Sequence, residues 1–151
     1  MEADGEGDGG GSKIPSAFVS LRAEWLQTLM QLGYVACGQG KPSMARKIFE
    51  GIAAVRPNSE LPLIGLSMAL INQGKLSDAL ELLVKKAMPL NPNSQIVKVM
   101  CVMIYRMTGA FAESELLIDE VVQDGTDPEA TAFALQLKTE DFAYLRSRGR
   151  R

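Results

Sequence analysis

The chain has 151 residues, and the 46% that are hydrophobic supply enough apolar surface for one buried core. Its 18 acidic and 16 basic side chains leave a formal charge of −2, so no overall field favours nucleic acid or an anionic membrane. Histidine is absent, which removes the commonest general base and a favoured metal ligand. These features predict a protein without catalytic activity, cofactor or bound metal.

The chain begins with an acidic, glycine-rich segment, residues 1–13. It has too little apolar surface to offset the entropy of ordering, and we expect it to be a disordered tail. Its composition is the opposite of a signal peptide, in which a basic start precedes an apolar stretch. No later stretch approaches the roughly 20 apolar residues of a membrane span. We expect a cytoplasmic protein whose single helical domain covers residues 14–147.

A repeat of about 34 residues runs along this domain. Three glycines that follow polar residues are spaced 34 and 35 positions apart: Gly40, Gly74 and Gly109. Five positions after each glycine stands a small residue: Ala45, Ala79 and Ser114. A proline-containing turn closes each repeat, at Pro57, Pro92 and Pro128. A fixed period of this length is typical of stacked helical hairpins.

Apolar residues between these landmarks recur with helical spacing, as in Leu63, Leu66 and Leu70. Each repeat is therefore predicted to be a pair of helices, in which the glycine ends the first helix in a left-handed conformation. Ser43 and Ser77 are expected to cap the second helices, since serine accepts hydrogen bonds from the free amides there. The small residue after each glycine lets the paired helices approach closely.

The first repeat carries the best-matched motif: Leu32-Gly33, Gly40, Ala45, Phe49 and Pro57. These residues resemble the tetratricopeptide repeat family, and the resemblance extends over positions 26 to 128. It implies an all-α fold of about three stacked hairpins that form a right-handed α-solenoid. The later repeats diverge from the family pattern. In the second, the last helix continues through residues 85–87 before Pro89, and in the third Ser114 replaces alanine.

Helices are also expected on both sides of the repeats. Residues 16–29 continue helically into the first repeat. Trp25 is expected to pack between the first helix and its neighbour, and the alternative is that it anchors a binding partner. Residues 129–146 are predicted to form a helix that caps the stack, with Phe133, Leu137 and Leu145 on its apolar face. The arginines at the end lack interleaved aromatic residues, which favours a solvated, frayed terminus at residues 148–151 over a nucleic-acid site.

In the tetratricopeptide family the first helices of successive hairpins line a concave groove, so the resemblance also implies a binding surface. The residues that it places there are mostly apolar and rich in methionine: Met30, Tyr34, Cys37, Leu61, Ile64, Met68, Ile71, Ile96, Val99, Met103, Arg106 and Met107. Such a groove suits the apolar face of an amphipathic helix, and methionine can repack around different contours. The alternative is that these side chains face the core.

The segment from Glu115 to Lys138 combines an apolar helix, a turn at residues 124–129 and a following helix with Ala132, Phe133 and Ala134. It resembles the C-terminal end of the small tetratricopeptide-fold chaperones of bacterial type III secretion, chiefly the needle-subunit chaperones. This resemblance implies a virulence-associated chaperone that sequesters an amphipathic helix of a polymerising secreted subunit. A small helical co-chaperone would complete the complex. Covering that helix would keep the subunit monomeric before export.

Other interpretations stay open. A generic tetratricopeptide scaffold or adaptor is the alternative function, and it would use a polar or basic groove to hold a partner's terminal carboxylate. An unoccupied apolar groove could also be covered by a second copy, which would give a homodimer. An enzyme would need carboxylates in a pocket, whereas those of this chain are predicted to be solvated surface charges: Glu24, Asp78, Glu113 and Asp119. Cys37 and Cys101 lack metal-ligand spacing and are predicted to be buried thiols.

Overall fold

The structure is a computed structural model that describes the backbone of residues 16–143 and the side chains of residues 22–143. The regular elements of this part of the chain are all helical: α1 (Ser16–Gly38), α2 (Pro42–Val55), α3 (Leu61–Asn72), α4 (Leu76–Leu82), a π-helical turn (Leu83–Ala87), α5 (Met88–Leu90), α6 (Gln95–Thr108), α7 (Phe111–Asp124) and α8 (Pro128–Thr139). The all-α prediction is confirmed for these residues. The predicted tails, residues 1–13 and 148–151, lie outside the described residues, as does Leu145.

The helices pack as successive pairs. α1 pairs with α2, α3 pairs with the helix that runs from α4 through the π-helical turn to α5, and α6 pairs with α7. α3 also packs on both helices of the first pair, and α6 packs on α4 and the π-helical turn. α8 lies against both α6 and α7. Hairpins that are neighbours in sequence are therefore neighbours in space.

The core consists of three adjacent clusters of buried side chains. The first joins α1, α2 and α3 around Phe49, the second joins the second hairpin to α6 around Leu83, and the third joins α6, α7 and α8 around Ile118. These three residues are at most 1% exposed. They are spaced 34 and 35 positions apart, so the repeat places one large apolar side chain from each second helix in its own cluster. Burial of these clusters is the main force that holds the hairpins together.

The three repeat glycines end the first helices, as predicted. Gly40, Gly74 and Gly109 have φ angles of 69°, 73° and 84°, a left-handed conformation that glycine adopts without steric penalty. In each turn the amide of the next residue donates to the carbonyl oxygen five residues earlier, at 2.8–2.9 Å. This is the Schellman arrangement, which satisfies carbonyl groups left free at a helix end. Gly125 ends α7 in the same conformation, with φ 58°.

Small residues set the distance between helices. The small residues five positions after the three repeat glycines are all fully buried: Ala45, Ala79 and Ser114. Gly33 on α1 and Gly65 on α3 both face the ring of Phe49, which projects from α2. A Cβ atom on Gly33 would lie 2.6 Å from Phe49 Cζ, and one on Gly65 would lie closer still to the ring. The two glycines therefore make room for the largest side chain of the first cluster.

The predicted serine caps are wrong. α2 and α4 begin directly after the glycine turns, and neither helix has a side-chain cap. Ser43 and Ser77 lie inside the first helical turn, because the Schellman turn leaves no residue between itself and the next helix. Ser94 caps α6 and Asp127 caps α8 instead, each accepting a hydrogen bond from the amide three residues later. The Asp127 cap follows a left-handed glycine, Gly125, but one further residue separates the two, so the turn leaves room for a capping side chain.

The second hairpin contains the π-helical turn. Pro89 has no amide proton to donate, and in a regular helix its ring would collide with the carbonyl group four residues earlier. The wider turn precedes this proline and absorbs one extra residue. The segment from Gly74 to Pro92 is one residue longer than the equivalent segment from Gly40 to Pro57. The predicted extension of this helix is confirmed, and the π-helical turn is its physical cause.

The helix α8 is shorter than the helix predicted for residues 129–146. α8 ends at Thr139, and Glu140 is extended, so the helix does not continue toward residue 146. Its buried side is a row of small and medium residues: Ala130, Ala134 and Leu137. Phe133, which was predicted to belong to this row, is 40% exposed. Small side chains are needed there because α8 packs against two helices at once.

Candidate functional site

The structure divides the predicted groove residues between the interior and the surface. The buried ones are Cys37, Ile64, Val99 and Arg106. The half-buried ones are Met30, Met68, Ile71, Met103 and Met107. The exposed ones are Tyr34, Leu61 and Ile96, at 36%, 54% and 45%. Four of the twelve predicted groove residues are therefore buried, five are half-buried, and three are exposed.

Met68 and Met103 connect neighbouring hairpins. Met68 packs against both the first and the second core cluster, and Met103 packs against both the second and the third. Their unbranched side chains fill irregular space between clusters. Both methionines were predicted to contact a partner, and both are partly buried in the structure.

Arg106 holds the last three helices together. Its side chain is 11% exposed and donates to the carbonyl oxygen of Lys138, at the end of α8. It also pairs with Glu115 on α7 at 3.5 Å between Nη1 and Oε1, and Glu115 pairs in turn with the Lys138 ammonium at 2.8 Å. The guanidinium carbon lies 4.9 Å from the centroid of the Phe111 ring. This set of contacts gives Arg106 a structural role, since it joins α6 to α7 and to the end of α8.

An apolar cleft lies where α1 meets the end of α2 and the start of α3. This α1–α3 cleft has a volume of about 410 Å³ and is lined by Ala23, Leu26, Gln27, Met30, Tyr34, Ile52, Arg56, Ser59, Leu61 and Pro62. It brings together three residues that were predicted for the groove: Met30, Tyr34 and Leu61. Its volume lies in the range of roughly 300–1,000 Å³ that binding sites occupy.

Tyr34 links the cleft to the core. Its ring centroid lies 5.2 Å from that of Phe49, with the ring planes tilted by 59°, a favourable aromatic pair. Burial raises the pKa of Tyr34, and the nearby Cys37 raises it further. The hydroxyl group therefore stays protonated at neutral pH, so it can donate a hydrogen bond to a bound partner.

One edge of the cleft is polar. Arg56, just after α2, is the charged member of the set of residues that line the cleft. Ser59 accepts a hydrogen bond from the Leu61 amide at 3.3 Å, which fixes the chain at the start of α3. Gln27 adds an amide group from α1. The cleft thus combines apolar walls with a cationic edge.

Sequence reasoning missed seven of the residues that line the cleft: Ala23, Leu26, Gln27, Ile52, Arg56, Ser59 and Pro62. The prediction transferred only the inward positions of the first helices, whereas several of these residues come from the end of α2 and the loop that follows it. The turn at Pro57 was the available signal, because the chain reversal that it marks brings the end of α2 next to the start of α3.

The remaining chemical candidates from the sequence are four carboxylates and two cysteines. The carboxylates that an enzyme would need are exposed, as predicted: Glu24, Asp78, Glu113 and Asp119. Cys37 and Cys101 are both buried free thiols, and burial raises the pKa of Cys101 to about 12. Within residues 22–143, no group of three or more cysteine, histidine or acidic side chains could hold a metal ion. No helix in the described part of the chain is long and apolar enough to cross a membrane.

Trp25 is not packed between helices, so that prediction is wrong. It is 67% exposed and lines a second cleft of about 490 Å³ on the outer side of the first hairpin. This outer cleft also includes Leu29 from α1 and Ile48 and Val55 from α2. α3 packs on the other side of the hairpin, where Gly65 faces Phe49.

In comparisons with known proteins, no family model matches the chain, and no curated protein matches it significantly.

Proposed function

We propose that this protein is a helical-repeat chaperone that binds an amphipathic helix of another protein in the α1–α3 cleft. The observation that carries the proposal is the position of the 54% exposed Leu61 beside Met30 and Tyr34, in a cleft with mostly apolar walls. Exposed apolar surface of this kind is unfavourable in water, and in soluble proteins it usually marks an interaction site. Binding alone performs the function, because covering a partner's apolar helix removes the surface through which that partner polymerises.

An amphipathic helix matches both the apolar walls and the cationic edge of the cleft. Side chains at positions i, i+3 or i+4, and i+7 of a helix project from one face and can enter an apolar cleft together. The polar face of the same helix would then lie along Arg56, where an acidic side chain forms a charge-assisted hydrogen bond. Gln27 and Ser59 can bond to the helix at the same edge.

We extend the proposal to the fold and role that the family resemblance implies. The fold is a right-handed tetratricopeptide solenoid, and its support is the repeated left-handed glycine turn together with the equivalent buried residues Phe49, Leu83 and Ile118. The role is that of a cytoplasmic type III secretion chaperone of the needle-subunit kind. Its cargo is a small secreted subunit that polymerises through an apolar helix, and a small helical co-chaperone shares the complex.

The test is affinity capture of partners from the native host, using variants of the cleft. Leu61→Glu places a charge among the apolar walls, and Arg56→Glu reverses the cationic edge. Leu135→Glu on α8 is the matched control, because Leu135 is 47% exposed and lies outside the cleft. Met68 and Met103 are unsuitable positions, since a charge there would enter the core and reduce stability.

We expect the unmodified chain and the control to capture the same small helical protein in stoichiometric amount. Leu61→Glu should lose at least about nine-tenths of it, since an uncompensated charge in an apolar contact is strongly unfavourable. Equal capture by Leu61→Glu and the control would contradict the proposal. Capture of a heat-shock chaperone through its terminal carboxylate, lost with Arg56→Glu alone, would favour the scaffold alternative.

A further inference from the structure

Contacts between side chains fix the relative direction of the two helices that give the α1–α3 cleft its name. A Cβ atom on Gly33 of α1 and one on Gly65 of α3 would both meet the ring of Phe49, so the two glycines lie at the same level. Further along both helices, the Asn72 amide group donates to the Cys37 carbonyl oxygen at 3.1 Å. α1 and α3 therefore run parallel, and their amino-terminal ends point the same way.

The cationic edge of the cleft lies toward one of its ends. α2 runs antiparallel to α1, because a glycine turn reverses the chain between them. Phe49 on α2 meets Gly33 and Tyr34 on α1, and we call this the tyrosine end of the cleft. Arg56 follows Phe49 by seven positions, and Leu26 precedes Gly33 by seven, so the two lie about level. We call this the arginine end.

The cleft has room for about three turns of a helix. The residues that line it on α1 extend from Ala23 to Tyr34, which is about three helical turns or roughly 16 Å. A bound helix of that length places its apolar residues at positions i, i+3 or i+4, and i+7 along the walls. One end of the bound helix therefore lies at the tyrosine end of the cleft and the other at the arginine end.

The arginine end is electropositive. Arg56 is the charged side chain of the lining, and it makes no ion pair with another described residue. α3 begins at this end with Leu61, and the amino-terminal end of a helix carries a partial positive charge. The neighbouring acidic residue, Glu60, accepts a hydrogen bond from Asn91 at 3.0 Å and does not line the cleft. The lining of this end therefore carries a net positive charge.

We infer that the bound helix runs antiparallel to α1 and α3, so that its carboxyl-terminal end, with an aspartate or glutamate in the last turn, lies at Arg56. The free carbonyl groups at the carboxyl-terminal end of a helix carry a partial negative charge, and an acidic side chain adds to it. The dipole of the bound helix then also opposes those of its two parallel neighbours, which is the favourable arrangement. The inference rests on the proposed function and adds the direction and the charge of the partner helix.

The inference gives the partner helix a recognisable sequence. Helices ordinarily carry basic residues in the last turn, since these offset the partial negative charge there. A partner helix with acidic residues in that turn lacks this compensation when it is free, and Arg56 supplies it in the complex. An amphipathic helix with an acidic last turn is therefore the expected ligand.

The test uses two synthetic peptides of identical composition as probes for the full chain. Each is an amphipathic helix of about 15 residues, long enough to form in part when free. Blocked ends remove the terminal charges. One peptide has two glutamates in its last turn, and the other has them in its first turn. Fluorescence anisotropy measures binding at low salt, where charges are weakly screened.

We expect the last-turn peptide to bind at least about threefold more tightly than the first-turn peptide, as an exposed ion pair and a helix dipole together contribute. Glutamates in the first turn stabilise a free helix, so this preference runs against the helicity of the peptides. Arg56→Glu should abolish the preference. Lys86→Glu is the control, because it is the same change of charge on an exposed residue outside the cleft, and it should keep the preference.

A nitroxide label on the last-turn peptide reads the direction itself. At the carboxyl-terminal end of the peptide, the label should broaden the amide resonance of Ser59 more than that of Tyr34. At the amino-terminal end it should do the reverse. Leu61→Glu should weaken binding of both peptides by about tenfold or more, since it places a charge among the apolar walls.

The outcomes separate the inference from the proposed function. Equal binding of the two peptides, the opposite label pattern, or a preference that persists in Arg56→Glu would overturn the inference alone, because the cleft would still bind a helix. Binding of neither peptide up to about 1 mM, or binding that Leu61→Glu leaves unchanged, would overturn the inference together with the proposed site.

Discussion

Phe49 is held between two glycines, and this contact makes a sharp prediction at the scale of single residues. Gly65→Ala should lower the free energy of unfolding by about 1–3 kcal/mol, because the added methyl group collides with a ring that is 0% exposed and has no space to move. Gly51→Ala is the control, since it is the same change on a helix in open space. It should raise stability by up to about 1 kcal/mol through helix propensity. Urea denaturation of the two variants measures both effects, and equal changes would contradict the packing described for Phe49.

The buried thiol of Cys101 predicts a loss of stability in alkali. Burial raises the pKa of Cys101 from its ordinary 9.0 to about 12, so between these values the unfolded chain releases a proton that the folded chain keeps. Ionisation of this thiol therefore leaves the free energy of unfolding unchanged below about pH 9 and lowers it progressively above that pH. Between about pH 8 and pH 10 the unmodified chain should lose about 1 kcal/mol more than Cys101→Ala. If the free energy of unfolding falls equally with pH in the two proteins, the prediction is wrong, and the thiol of Cys101 is accessible to water in the folded chain.

At the scale of the helix, the two side-chain caps and the two serines that do not cap form a matched set. Asp127→Ala and Ser94→Ala should each lower the free energy of unfolding by about 1 kcal/mol, because each leaves a helix amide without its partner. Ser43→Ala and Ser77→Ala should change it by less than about 0.5 kcal/mol, since neither side chain caps a helix. Thermal or urea unfolding of the four variants is the measurement. A larger loss of stability at Ser43 or Ser77 than at Asp127 would contradict this prediction and would indicate that these serines cap α2 and α4.

Arg106 makes the corresponding prediction for the packing of α8. Arg106→Met keeps the apolar stem but removes the bonds to Glu115 and to the Lys138 carbonyl group. It should lower the free energy of unfolding by about 2–3 kcal/mol and speed amide hydrogen exchange in α8 more than in α1. Arg46→Met is the control, because the pair between Arg46 and Glu50 is exposed to water and its loss should change stability much less. If Arg106→Met speeds amide hydrogen exchange no more in α8 than in α1, Arg106 does not hold α8 in place.

For the molecule as a whole, the parts that could be predicted from sequence are those with a local physical cause. The left-handed turns at Gly40, Gly74 and Gly109 were predictable because the backbone conformation itself requires glycine. Which of the predicted groove residues are exposed could not be predicted, because apolar residues at helical spacing serve equally as core and as binding surface. Met68 and Leu61 are both apolar residues of α3, yet one joins two core clusters and the other lines an open cleft.

Two further features depend on tertiary packing that the repeat pattern does not encode. Arg56 reaches the cleft from the loop after α2, whereas the prediction considered only first helices. Trp25 has helical spacing typical of a packed residue, and it is exposed because α3 covers only the opposite side of the first hairpin. In both cases the missing information is which neighbour a helix face meets.

The central claim is that the α1–α3 cleft holds an amphipathic helix, and photochemical cross-linking in the native host tests it most directly. A photoreactive phenylalanine analogue replaces Leu61 in one version of the chain and Leu135 in another, which are 54% and 47% exposed. The account predicts one cross-linked partner at position 61, with the attachment site on the apolar face of a helix, and no such adduct at position 135. The same adduct from both positions, or attachment at position 61 to a segment without an apolar helical face, would contradict it.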